Sequence, residues 1–182
     1  MHDLGRNEDR LRGTYEFPFE FHHIDSSHPR YVMSYHWHVE CEIMRVLQGT
    51  LTVTLDEKSF TAKAGDVIFV NSGVLHSGIP QDCIYQCIVF DMNMFLKFNS
   101  VCTEYMQKIS HQELLIYHHF TEKQPDIRRA VNSLFDSFWQ RKPGYELVVF
   151  GQFYHFFGLV LVIITTWRAC GKPDEITSAL SS

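Results

Sequence analysis

The sequence lacks an excess of basic charge. Its 16 Lys and Arg stand against 21 Asp and Glu, a formal net charge of −5 at pH 7. Affinity for a phosphate backbone comes from counterions released to clustered cations, so unaided nucleic-acid binding is not expected. It also lacks a Cys-x-x-Cys pair: Cys41, Cys83, Cys87, Cys102 and Cys170 are scattered and odd in number. That pattern argues against a disulfide framework and reads as reduced, mostly buried thiols. No apolar leader opens the chain, because Met1–Gly13 is charged; a cytoplasmic location is the expectation. Nor is there an unbroken apolar run. Leu147 to Trp167 carries no charged side chain, but Gly151, Gln152, His155, Gly158, Thr165 and Thr166 interrupt it. We read it as a buried or dimer-interface helix and expect no membrane span. What is present suits a globular chain: 182 residues, 45% apolar, 20% charged and rich in Phe.

After a polar first dozen residues, expected to be a mobile arm, Tyr15, Phe17, Phe19 and Phe21 alternate with other residues in the period of a half-buried strand. Short strands are then expected at 31–38, 41–48, 50–55, 58–63, 67–70, 76–79 and 84–91. Gly49, Asp56-Glu57, Gly65-Asp66, Asn71-Ser72-Gly73 and Pro80-Gln81-Asp82 separate them. Strands at this spacing with no helical period between them indicate a sandwich or small barrel. Beyond Asp91 the pattern changes. A short helix is expected within 94–107, while 109–123 is ambiguous. Pro125-Asp126 then opens an amphipathic helix in which Ile127, Ala130, Val131, Leu134, Phe135 and Phe138 share a face. A second helix, 145–170, is apolar almost all round and must be covered on every side. The pair is therefore expected to build a homodimer interface.

Two stretches carry chemistry. His36-Trp37-His38 is followed after three residues by Glu42 and after six more by Gly49; Gly65 is followed by Asn71-Ser72-Gly73 and then His76. His36 and His38, two apart on a strand, would point to one face, and Glu42 keeps their parity or is brought in by a bend. His76 arrives from a separate hairpin. Three imidazoles and one carboxylate make a ligand set for Zn, Ni, Mn or Fe, with positions left for water or substrate. Glu40 shares the parity and could sit at the pocket mouth, support a ligand or replace Glu42; Met44 is expected to line the barrel. Trp37 and Cys41 have the opposite parity, and His22, His23, His118 and His119 read as surface or capping groups.

These stretches resemble the two cupin motifs, HxH–x3–E–x6–G and G–x5–PxG–x2–H–x3–N, with Asn71 where the motif has Pro and Pro80 where it has Asn. The run HWHVECEIMRVLQGTLTVTLDEKSFTAKAGDVIFVNSGVLHSG resembles the N-terminal regulatory domain of AraC-type transcription factors. The resemblance implies a mainly β fold: a cupin (double-stranded β-helix, jelly-roll) barrel at 15–92 followed by two or three C-terminal helices. It further implies an N-terminal arm at 1–14, a dimerisation region at 93–171, and a linker beginning at 172–182 that leads to helix-turn-helix motifs. The implied function is sensing of a sugar or other polar small-molecule effector, without enzymatic activity and with DNA bound only through that further domain. In such regulators His36, His38, Glu40, Glu42, Met44 and His76 could line an organic-ligand pocket, and the same His36, His38, Glu42 and His76 could hold a metal or form a satisfied polar cluster. The alternative function is a metal-dependent cupin enzyme, a dioxygenase or isomerase.

Overall fold

A computed structural model describes residues 7–8, 12–97, 101–114 and 116–169, the last five by backbone alone. The strands are β1 (Phe19–Ile24), β2 (Met33–His36), β3 (Cys41–Leu55), β4 (Lys58–Lys63), β5 (Val67–Val70), β6 (His76–Phe90) and β7 (His119–Phe120). The helices are a short 3-10 turn at Met92–Leu96, α1 (Thr103–Ser110), α2 (Pro125–Gln140) and α3 (Tyr145–Ala169). The chain divides into two compact units, Met1–Glu122 and Lys123–Ser182. The expected linker at 172–182 and the first six residues of the expected arm lie outside the described residues.

All strands of the first unit join one antiparallel sheet with the path β1-β6-β3-β5-β7, β2 adding to β6 and β4 to β3. This corrects the expected mainly β closed barrel. β1 and β7 end the path without pairing to each other, so the sheet stays open, and helices contribute about as much of the described chain as strands do. The physical reason lies in two turn signals that do not end strands. Gly49 falls inside β3 and Pro80-Gln81-Asp82 falls inside β6, fusing four expected short strands into two of 15 residues each. These two pair from Cys41↔Phe90 to Leu55↔His76, with register shifts around Gln48. Gly49 adopts φ +67, and a Cβ there would lie 2.2 Å from the Asp82 carbonyl oxygen. Glycine thus makes a bulge where the two backbones touch. From this ribbon Met44, Val46, Leu51, Val53 and Tyr85 are buried in one core cluster with Ile68 of β5.

In the second unit α2 opens with Pro125, whose missing N–H costs nothing in the first turn. It closes at Arg141, which takes a left-handed conformation while its N–H reaches the Ser137 carbonyl. The stripe from Ile127 to Phe138 is buried as its spacing predicts. On α3, Val149, Phe153, Phe156, Phe157, Val160 and Ile164 are buried, but Leu147, Val148 and Val162 are exposed. Complete cover of α3 is therefore not found among the described residues. By length and composition the helix would suffice to cross a membrane, a test that a core helix also passes.

Gly49→Ala is expected to destabilise the fold by about 2–4 kcal/mol in urea or thermal unfolding. Gly73→Ala, also at positive φ but with open space around it, should cost about 1 kcal/mol.

Candidate metal centre

The two motifs meet because β2 and β6 are neighbours. His36 closes β2 directly opposite His76, which opens β6. His38 is not on a strand, as its parity with His36 had suggested; it sits in the link between β2 and β3. Two hydrogen bonds hold that link to the turn ahead of β6: the Gly73 N–H donates to the His38 carbonyl at 2.9 Å, and the Ser72 hydroxyl donates to the Val39 carbonyl at 2.6 Å. The link bends the chain so that Glu42, near the start of β3, faces the histidines from between Val70 of β5 and Val89 of β6. One ligand atom each from His36, His38, Glu42 and His76 lies within 4.8 Å of the others.

The chemistry of the cluster is set by its backbone bonds. His36 Nδ1 bonds the Ser34 carbonyl at 2.8 Å, His38 Nδ1 the Glu40 carbonyl at 3.0 Å, and His76 Nδ1 the Val74 carbonyl at 2.9 Å. A carbonyl oxygen only accepts, so each Nδ1 carries the proton and each neutral ring keeps its Nε2 lone pair for the centre. Around Glu42 Oε2, His38 Nε2 lies at 3.4 Å and His76 Nε2 at 3.3 Å. His76 Nε2 is fully buried and makes no bond of hydrogen-bonding geometry. In their neutral form the rings turn lone pairs toward the carboxylate, an arrangement that a shared cation satisfies, either a metal ion or a proton on His38 donated to Glu42. The residues present fit a divalent first-row metal, with His36, His38, Glu42 and His76 as its ligands.

Local electrostatics favour the ligating forms. Burial alone would raise the pKa of Glu42, but the imidazoles of His38 and His76 beside it hold it well below the usual carboxylate range. Burial, then the neighbouring His76, lowers His36. Burial also pulls His38 down, but the hydrogen bond that its protonated Nε2 gives Glu42 more than offsets that and leaves it raised. Cys87, buried beside Glu42, is pushed well up and stays a thiol.

Other expected site residues fall elsewhere. Met44, on β3 two residues past Glu42, is fully buried in the core cluster that also holds Ile24, Tyr85 and Cys87 of the cavity wall. Glu40 holds the far side of His38 through its carbonyl, while its carboxylate lies 3.9 Å from Arg12 Nε. His23, His118 and His119 bond Gln86, the Phe69 carbonyl and Asp66. Asn71, where the cupin motif has Pro, is buried and makes a two-bond clasp with the Ile116 backbone.

A cavity of about 60 Å³ opens on the cluster, lined by His36, His38 and Glu42 together with Glu8, Arg12, His22, His28 and Arg30 among others. The sequence reading missed Glu8, Arg12 and Arg30. It treated the first dozen residues as a mobile arm, whereas Glu8 is bound through its N–H to the Trp37 carbonyl and Arg12 is buried. The charge pair at i, i+4 between Glu8 and Arg12 was the available signal. The expectation of a chain without enzymatic potential is corrected here. A three-histidine, one-glutamate set, buried but for the half-buried His36 and facing a cavity with charged walls, is a donor set able to support metal-assisted chemistry.

Comparison with known proteins gives likenesses of three kinds, to a family profile, to a curated relative and to solved structures. The profile of the AraC-like ligand binding domain family matches residues 18–147. Over 56 residues the chain is 34% identical to an uncharacterized HTH-type transcriptional regulator, YdeC, of Bacillus subtilis (strain 168). That stretch covers 29% of this chain and 19% of YdeC, so the match spans about a fifth of the regulator's length. Among solved structures, a Bacillus subtilis oxalate decarboxylase studied for its Mn(II) centers is 25% identical with a TM-score of 0.30, covering 33% of this chain and 18% of that one. KdgF from Halomonas sp. is 21% identical with a TM-score of 0.31, covering 32% and 57% respectively.

Protein purified without a histidine tag should take up about one equivalent of Zn or Mn, and His76→Ala less than about a tenth, by elemental analysis. Affinity should fall with pH, because protons compete for the same lone pairs. His38, with its raised pKa, is the first to be lost, at about tenfold per pH unit in a chelator-competition titration.

Proposed function

From the premise that the chain belongs to the AraC-like ligand binding domain family, we propose that it is a small-molecule-binding domain whose ligand site is built on a divalent metal. The observation that carries this reading is the convergence of His36, His38, Glu42 and His76 at one end of a cavity with charged walls. The four residues would hold the metal, which when bound supplies a Lewis-acidic anchor for a ligand oxygen. Glu40 would fix the orientation of His38, and the wall residues would select among ligands. The ligand is a polar metabolite that reaches the cluster through this cavity.

In the fuller form of the proposal the domain is the sensory part of a transcription regulator. DNA would be bound by a separate helix-turn-helix domain, in keeping with the local likeness to YdeC. Ligand binding would act by favouring one of two arrangements of the dimer, which requires different affinities for the two. Dimerisation through the helical unit is supported by the outward side of α3. Val148, Gly151, His155, Gly158 and Val162 are all exposed there and follow the alternating three- and four-residue spacing of a helix–helix seam. The two glycines would let a partner helix approach closely. The domain is expected to work in the cytoplasm.

A second reading, a metal-dependent enzyme of the dioxygenase or isomerase kind, is favoured by the same ligand set, whose four donors would leave a bound metal room to take substrate. One assay separates the two. Metal-loaded protein is incubated with sugars and small organic acids, and both binding and consumption are measured, for wild type and for His38→Ala. Binding without consumption, lost in the variant, is the result expected of a sensor, and consumption lost in the variant is that of an enzyme. Equal binding by a metal-free His38→Ala protein would overturn both. Val162→Asp should convert a dimer to a monomer in sedimentation without altering metal content.

A further inference from the structure

The wall of the cavity names the chemistry of its ligand. Two guanidinium groups line it, Arg12 and Arg30, and both are engaged by the same carboxylate, that of Glu8. Glu8 Oε2 is 3.0 Å from Arg12 Nη2 and 3.8 Å from Nε2 of the metal-ligand candidate His36, and Glu8 Oε1 accepts from Arg30 Nη1. A carboxylate supplied by the chain itself therefore bridges two cations and borders the cluster. Arg12 is the unusual member. Its side chain is only 2% exposed, its Nη1 is held by Glu20 at 2.7 Å, and its Nε is buried with no hydrogen-bond partner. Burying a guanidinium in a small cavity is costly unless an anion faces it, and the planar fork is suited to a carboxylate.

We propose that the ligand of this site is a small carboxylic acid bearing a second oxygen donor, with its carboxylate on Arg12 and Arg30 and its second oxygen toward the His36–His38–Glu42–His76 cluster, and that Glu8 occupies the carboxylate position until the ligand displaces it. This inference rests on the metal-centred reading above for the second oxygen but not for the carboxylate. The volume agrees: about 60 Å³ suits a small molecule, and withdrawal of the Glu8 side chain would enlarge it. A neutral sugar that displaced Glu8 would bring no charge to replace it on Arg30 and would leave Arg12 to Glu20 and Glu40, so it is disfavoured against a carboxylate. Glu8 remains tied through its backbone to Trp37, so its side chain can be replaced without cutting that attachment.

The test measures glycolate binding by calorimetry, with glycolamide as the neutral isostere, on the full chain with and without Co(II), whose content is determined separately in each sample. Glu8→Ala should bind glycolate at least tenfold more tightly than wild type, because the internal competitor is gone, and should bind glycolamide at least tenfold more weakly than glycolate. Arg30→Gln, at a site with a side chain 61% exposed, should fold normally and lose glycolate affinity about tenfold; it serves where Arg12→Met fails to fold. With Co(II) bound, glycolate should also alter the visible absorption of the metal. Co(II)-loaded Glu8→Ala that binds glycolate no better than wild type, or glycolamide equally well, overturns the carboxylate proposal and leaves the metal-centred reading standing. Failure to take up Co(II) overturns that reading, and metal-free Glu8→Ala then decides the arginine pair alone: a tenfold preference for glycolate over wild type upholds it, and its absence overturns it.

Discussion

Everything at this site follows from three backbone carbonyls. Ser34, Glu40 and Val74 each accept the Nδ1 proton of a histidine two residues away, and that choice of tautomer turns three Nε2 lone pairs onto Glu42. Were the protons on the other nitrogen, the same residues could satisfy one another and the cluster would be a closed hydrogen-bonded knot. With the tautomers set as they are, acceptors face acceptors in a buried place, an arrangement that costs several kcal/mol unless a cation joins it.

The fold serves this arrangement by geometry rather than by enclosure. β3 and β6 run as one long antiparallel ribbon, and β2 lies on β6 so that His36 and His76 are opposite each other. The turn at Ser72 and Gly73 is fastened to the link that carries His38. A rigid sheet thus holds three of the four ligands, and a short clasped link holds the fourth. Glu40, beside that link, connects the cluster to Arg12 and so to the wall of the cavity. The ligand set and the charged wall are parts of one network, with Glu8 and Arg30 at its outer end.

Much of this was legible in the chain because spacing alone encodes it. His36, His38, Glu42 and His76 could be picked out from residue types and intervals, and the amphipathic stripe of α2 from its period. The open sheet was not legible. Gly49 and Pro80-Gln81-Asp82 look like turns to a local reading, and only the close approach of Gly49 to the Asp82 backbone reveals a bulge that lets the strands run on. Glu8 and Arg12 offered only their i, i+4 charge spacing, which says nothing of a cavity wall, because polar residues near a chain end carry no periodicity. Their partners, Glu20, Arg30 and Trp37, are set by tertiary structure. The judgement that the chain lacks catalytic potential leaned on likeness to regulators, and residue geometry does not support it.

The central claim is that the three imidazoles present Nε2, not Nδ1, to a shared cation. Long-range proton–nitrogen NMR of the zinc-loaded protein reads this atom by atom. The account predicts that His36, His38 and His76 each keep a protonated Nδ1 while their Nε2 resonances move to metal-bound positions. Zinc shifts at Nδ1, or Nε2 resonances unmoved by stoichiometric zinc, would contradict it.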